Sequence, residues 1–287
     1  MTEPARPNDD SIATWNEILV PKFTRFRRVL VDGFGQHSRI PLERVPVQPG
    51  ERVLDVGCGF GETTIELARA SGPDGSALGI DCADGFIRVA EADARAAGVR
   101  NATFRVADAQ TEPFDPNFDV VFSRFGTMFF QSPVAALRNL RRALKPGGRT
   151  LAIVWRSLDD NDWVGLPKSV ARRHLPPPPE DGRSCGPGPF SMADASTVRE
   201  LYEKAGFSSV TLTRTDVPVL VGRTLEEAVE FQLQLGPAGE IVREAGALAE
   251  ELRPIITEEL KELLRRFETP RGVVMQSSSW AVEARAS

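Results

Sequence analysis

Three residue types that carry much of enzyme chemistry are scarce in this chain of 287 residues, which has three cysteines, two histidines and one tyrosine. Cys58, Cys82 and Cys185 make neither a disulfide framework nor the paired spacing of a zinc site. The expectation is a reduced, cytoplasmic protein with incidental thiols and no bound metal. With only His37, His174 and Tyr202 available, a histidine-centred catalytic constellation has few places to start. Long apolar runs are missing as well: nothing approaches the ~20 residues of a membrane-spanning helix, and no signal peptide opens the chain. Nor is there an excess of positive charge. Thirty-five Lys and Arg stand against 40 Asp and Glu, a net charge of −5, whereas a protein built to grip nucleic acid is more often basic. The local basic clusters (Lys22, Arg25, Arg27, Arg28; Arg138, Arg141, Arg142) fall in helical patterns and read as solvated faces.

What is present is sharper. Val53-Leu54-Asp55-Val56-Gly57-Cys58-Gly59-Phe60-Gly61 is a short apolar run that ends in an acid and breaks into three alternating glycines. A helical period follows from Glu62, so the glycines occupy a strand-to-helix turn. Glycine there allows positive φ and lets a ligand lie against bare backbone, beneath the unpaired N–H groups that open the next helix. A second strand, Ser76 to Asp81, again ends in an acid, 26 residues after Asp55. An amphipathic helix spans Asp84 to Ala97 and stops at Gly98. A third strand, Thr103 to Val106, closes on Ala107-Asp108-Ala109. The fourth, Phe118 to Ser123, and a fifth, Arg149 to Trp155 after Leu144-Lys145-Pro146-Gly147-Gly148, complete an alternation that implies a parallel sheet.

The glycine turn preceded by its acid, with Asp81, Asp108 and the Leu144–Gly148 turn in register, resembles the class I S-adenosylmethionine-dependent methyltransferases. The similarity is to the ubiquinone/menaquinone-biosynthesis type acting on small molecules, and it covers roughly residues 45–160. It implies a Rossmann-like α/β fold: a seven-stranded, mostly parallel sheet with an antiparallel last strand, plus helical cap insertions. It implies S-adenosyl-L-methionine as cofactor, held by Asp55, Gly57, Cys58, Gly59 and Gly61 at the first turn. Asp81 and Cys82 belong to the ribose end, Asp108 and Ala109 to the adenine end, and Ser123 and Phe125 approach the sulfonium.

Beyond the core the composition divides the chain further. Residues 1–10, rich in Pro, Asn and Asp, read as a disordered leader and 11–44 as an N-terminal helical cap. The cofactor-binding core runs over 45–155. Residues 156–195, with four consecutive prolines at 176–179 and several glycines, read as an irregular cap loop. The core resumes over 196–221, with a helix around Leu201 to Phe207 and a strand from Val210 to Val221. Residues 222–270 form a second helical cap, with a kink or break at Pro254. Residues 271–287 supply the last strand and tail.

For the acceptor, the strand exits place Met128, Phe129, Trp155, Arg156 and Trp163 toward the transferred methyl group. Their aromatic character suggests an apolar or aromatic small molecule. Arg124 or Arg156 can hold an anionic group, or pair with a local acid. Phe86 can lie along the adenine or serve the core. His174, His37 and Arg156 are the candidates for a catalytic group, and none is singled out as the base. Displacement at a sulfonium needs alignment and exclusion of water more than a legible triad. The expected partner is a small-molecule substrate, with a homodimer open and no nucleic acid. An RNA or protein methyltransferase and a non-catalytic S-adenosylmethionine-binding protein are the alternatives.

Overall fold

The computed structural model describes residues 8–179 and 186–286. Its strands are β1 (Arg52–Val56), β2 (Ser76–Asp81), β3 (Ala102–Val106), β4 (Phe118–Arg124), β5 (Leu144–Trp155), β6 (Phe207–Gly222), β7 (Glu268–Thr269) and β8 (Gly272–Ala286). They form one sheet in the order β3-β2-β1-β4-β5-β8-β6, with the two-residue β7 pairing on β8 outside that path. The first five are mutually parallel where they adjoin. Only β8 opposes its neighbours, lying antiparallel between β5 and β6. The seven-stranded path is the expected sheet, and β7 is a small addition to it.

Alternation along the strands explains the layering. Val53 and Leu54, adjacent in β1, enter separate hydrophobic clusters, and so do Ile153 and Val154 of β5; neighbouring side chains on a strand point to opposite faces. Central strands buried on both sides read as near-continuous apolar runs, as β1 does from Val53 to Val56 apart from Asp55. The helices are α1 (Asp9–Thr14), α2 (Val20–Arg25) and α3 (Arg27–Arg44), with a π turn at Trp15–Leu19; then α4 (Glu62–Ser71), α5 (Asp84–Ala96), α6 (Pro133–Ala143) and α7 (Asp162–His174). After these come α8 (Ala195–Lys204), α9 (Leu225–Gln234), α10 (Gly236–Ala245) and α11 (Ala247–Arg265). Leu67 and Ala68 of α4 serve one cluster, while Leu137 and Leu140 of α6 and Tyr202 of α8 serve the other. None of the helices is long and apolar enough to cross a membrane, among the described residues.

The strands β6 and β8 are longer than the core needs. Pairing with β5 ends at Trp155 opposite Ser279, yet β6 and β8 continue together to Gly222 opposite Val273. This extension is the platform on which α3 and α9 pack. His37 fastens α3 to it: its Nδ1 and Nε2 each lie 2.8 Å from a serine hydroxyl, those of Ser279 and Ser277.

Several sequence-based expectations change here. Residues 1–7 of the expected leader lie outside the described residues, but residues 8–10 are structured. Asn8 is buried, and Asp9 opens α1 with acids in its first turn. The 156–195 loop contains a full helix, α7, whose Gly165 and Pro167 had disguised its period; Pro167 is buried inside the helix, and Gly165 lets it approach the Leu158 carbonyl. Irregular chain remains only beyond His174, and Gly182 and Cys185 lie outside the described residues. The second cap breaks at Gly246, which takes φ +53 between α10 and α11, and Pro254 sits inside α11. A left-handed glycine ends a helix cheaply, whereas a proline on an exposed face can be carried at the cost of one hydrogen bond. Pro254→Ala restores that bond at an exposed site, so it should raise stability by about 1–2 kcal/mol after the loss of unfolded-state rigidity. A urea unfolding midpoint equal to or below that of the native chain would contradict the reading.

Candidate functional site

The carboxyl ends of β1 to β4 open on one cavity of about 700 Å³, roofed by the leader and the cap. Its floor is the glycine turn. Gly57 and Cys58 both donate to the Ile80 carbonyl, at 2.9 and 3.0 Å, which ties the end of β1 to β2. Gly59 takes φ +54 with open space where a side chain would stand. Its N–H donates to Asp81 Oδ2 at 3.0 Å, while Asp81 Oδ1 accepts from Ala83 at 2.9 Å. Burial pushes the Asp81 carboxyl up to about 6 despite those backbone donors. At the third strand end, Asp108 accepts from the backbone of Gln110 at 2.9 Å and from the amide of Asn8 at 2.6 Å. Gly57, Cys58, Gly59, Asp81, Cys82, Asp108 and Ala109 all line this cavity.

The fourth strand end supplies the other wall. Phe125 adopts φ +59, a strained conformation for an aromatic residue. The turn it makes lays its ring on Trp155, with centroids 3.8 Å apart and planes 12° from parallel. It also brings Gly126 against Gly57. A Cβ on Gly126 would stand 2.9 Å from the Val56 carbonyl and 3.3 Å from the Gly57 Cα, and one on Gly57 would stand 3.1 Å from the Gly126 Cα. The two loops therefore meet backbone to backbone. Phe34 completes an aromatic wall against Phe125, Trp155 and Trp163, with centroids 5.1–5.7 Å away. Met128 and Phe129 also line the space.

Three of the residues expected at the cofactor support the cavity from outside its lining. Asp55 is 2% exposed and accepts from Thr64 Oγ1 at 2.6 Å, joining β1 to α4. Burial raises its carboxyl to about 7. Ser123 Oγ donates to the Val56 carbonyl at 2.7 Å. Gly61 starts α4 at φ +79, where a Cβ would come within 2.7 Å of Ala90 and the Phe104 ring. Burial pushes the thiols of Cys58 and Cys82 up, away from thiolate chemistry.

The three candidate catalytic residues do not line the cavity. His37 is fully buried with both ring nitrogens bonded to serines, and burial lowers its pKa to about 3, so it stays neutral. His174 ends α7 with Nε2 3.0 Å from Glu259 Oε1. Arg156 pairs with Asp160 at 3.1 Å and lies 4.2 Å over the Trp280 ring. Tyr202 is core.

Other cavity residues escaped the sequence reading. Asn8 comes from the leader and Trp15 from the N-terminal helical cap. Trp15 packs edge-on against Phe23, Phe86 and Phe129, so Phe86 is both cavity wall and core. Residues 186–191 close one side: Ser191 Oγ donates to the Met128 carbonyl at 2.5 Å, and Gly186 approaches Phe129 too closely for a side chain. Lys168, Glu240 and Arg243 stand on the cap side.

The strand order, with its one antiparallel strand and a cavity across the parallel ends, is the Rossmann-like class I methyltransferase fold. Residues 53–148, about a third of the chain, match the model of the methyltransferase domain family. The demethylmenaquinone methyltransferase of Geobacillus stearothermophilus is 35% identical over 113 residues, 39% of this chain and 48% of that one. The aklanonic acid methyltransferase DauC of Streptomyces sp. strain C5 is 37% identical over 142 residues, 49% of this chain and 60% of that one. This chain thus spans about half the length of the curated relatives it matches. Among solved structures, phosphoethanolamine N-methyltransferase 2 of Haemonchus contortus superposes with a TM-score of 0.57 at 19% identity, over 98% of this chain and 60% of that one. At that identity the likeness concerns the fold.

Two outcomes follow for the site's framework. The folded chain holds the Asp55 proton more tightly than the unfolded chain does, so the stability from this group falls as pH rises from about 4 to about 7. Asp55→Asn keeps an acceptor for Thr64 and removes that slope. Between pH 5 and pH 8 the native chain should lose about 2–3 kcal/mol more than the variant in urea unfolding; parallel profiles would refute it. Gly126→Ala should cost about 1–3 kcal/mol through overpacking against Val56 and Gly57, read as a lowered thermal midpoint.

Proposed function

We propose that the protein transfers a methyl group from S-adenosyl-L-methionine to a small, largely apolar or aromatic molecule. One observation carries the reading: the glycine turn, Asp81 and Asp108 share a single cavity with an aromatic wall. The donor set fits the cofactor. Asp81 presents a half-buried carboxylate whose oxygens retain acceptor capacity, suited to a pair of ribose hydroxyls. Asp108 and the backbone of Ala109 suit the polar edge of adenine, with Phe86 and the leader beside them. Bare backbone at Gly57 and Gly59 admits the rest of the molecule. Bound there, the cofactor supplies an electrophilic methyl on a sulfonium.

The remaining work falls to the chain. Phe34, Phe125, Trp155 and Trp163 would align a planar acceptor by stacking, while the leader and residues 186–191 exclude water. No histidine or tyrosine lines the cavity among the described residues. This supports an acceptor that is already nucleophilic, or one attacked at carbon. The relatives' names, demethylmenaquinone methyltransferase and aklanonic acid methyltransferase, support a small acceptor. The net charge of −5 fits that better than nucleic acid, and the reading places the reaction in the cytoplasm.

The test is isothermal titration with S-adenosylmethionine, S-adenosylhomocysteine and, as control, NADH. Micromolar binding of the first two alone is expected, with a loss of at least about tenfold in Asp81→Asn, which replaces one hydroxyl acceptor by a donor. Absence of heat with both, or unchanged affinity in the variant, would remove the reading or the role of Asp81 respectively.

A further inference from the structure

Charge is distributed unevenly over the four strand ends that meet the cavity. Asp81 at β2 and Asp108 after β3 carry acids, the β1 turn offers backbone, and the end of β4 carries a cation, Arg124. The other arginines near the site are committed. Arg27 pairs with Glu62 and Asp93, and Arg156 with Asp160. Arg124 lines the cavity half-buried and has no acid within ion-pair distance among the described residues. Its side chain makes one hydrogen bond, a 3.4 Å donation to the Ser38 hydroxyl. Lys168, the other cavity cation without such an acid, stands on α7 in the cap, away from the strand ends.

Arg124 is also placed where its charge is felt. Its hydrogen bond to Ser38 sets the guanidinium beside α3, and its charge lowers the proton affinity of both Asp55 under the glycine turn and His37 on α3. Asp55 does not neutralise it fully, because burial keeps that carboxyl at about 7. A guanidinium left without its counter-ion in an aromatic-walled cavity is costly unless the ligand brings one. Its fork of donors matches a carboxylate in two-point geometry.

The donor proposed above has one anionic group, the carboxylate of its amino-acid arm. With adenine at β3 and ribose at β2, the sheet order β3-β2-β1-β4 carries that arm past the glycine turn toward β4. We propose that Arg124 is the carboxylate anchor for the amino-acid arm of S-adenosylmethionine, an inference that rests on the donor site proposed above. The fourth strand then does two things with consecutive residues: Arg124 fixes the tail of the donor, and Phe125 turns the chain into the acceptor wall.

The test deletes the interaction from both sides. Isothermal titration of the full chain would compare S-adenosylhomocysteine with its decarboxylated analogue, which keeps the nucleoside, sulfur and amine. The native chain should bind the analogue about 10–100-fold more weakly. Arg124→Met should bind S-adenosylhomocysteine more weakly by a similar factor and lose little more on the analogue, with Arg124→Lys in between. Equal binding of the two ligands by the native chain overturns the anchor while leaving the donor site standing. So does a variant that weakens both ligands equally, the mark of a structural role. If the native chain binds neither ligand, the donor site falls and the anchor with it. Should Arg124→Met fail to fold, the native-chain comparison together with Arg124→Lys decides the matter.

Discussion

The contact between Gly57 and Gly126 is the constraint on which the site is built. Two loops, leaving neighbouring parallel strands, come together so closely that neither can carry a side chain. That approach needs Phe125 in a left-handed conformation, with its ring stacked on Trp155 offsetting the strain. It needs Ser123 to hold the end of β1 through the Val56 carbonyl. The glycine floor and the aromatic wall are therefore one rigid unit. The methyl transfer proposed for this site asks chiefly for alignment of two molecules, and this unit would align both.

Under it lies a layer of buried polar groups that face no ligand. Asp55 and Thr64 join β1 to α4, and His37 joins α3 to β8 through two serines. Buried polar groups of this kind are tolerated because each is hydrogen-bonded, and they fix the angle at which α3 and α4 meet the sheet. Asp55 illustrates why a motif and a contact differ. It is the most recognisable acid of the first turn, yet its carboxyl points to a threonine nine residues later instead of to the cavity.

The legible part of the fold was local. Alternating glycines, acids at strand ends and a 3.6-residue period are written in contiguous residues, and Gly57, Gly59, Asp81 and Asp108 could be placed from them. Other features depend on partners far along the chain. Asn8 meets Asp108 a hundred residues away, and His37 meets Ser277 and Ser279 some 240 residues away. Nothing near either residue announces such a partner. The errors in the cap share a cause too. Glycine and proline in 156–195 and at Pro254 suggest loop and break, but Pro167 and Pro254 sit inside helices and Gly246 ends one. Packing on the platform, which propensity does not see, decided among them.

That platform also limits how the molecule can move. β6 and β8 run unbroken from the core sheet into the extension beneath α3 and α9, so no linker separates a donor domain from an acceptor domain. Hinge bending of the kind that opens two-domain enzymes would have to break a continuous ladder of hydrogen bonds. The cavity is covered instead by short segments, the helical turns around Trp15 and residues 186–191. The molecule is in this sense a bowl with a rigid floor: whatever enters the cavity passes its rim, and the strand ends that meet inside stay fixed to one another.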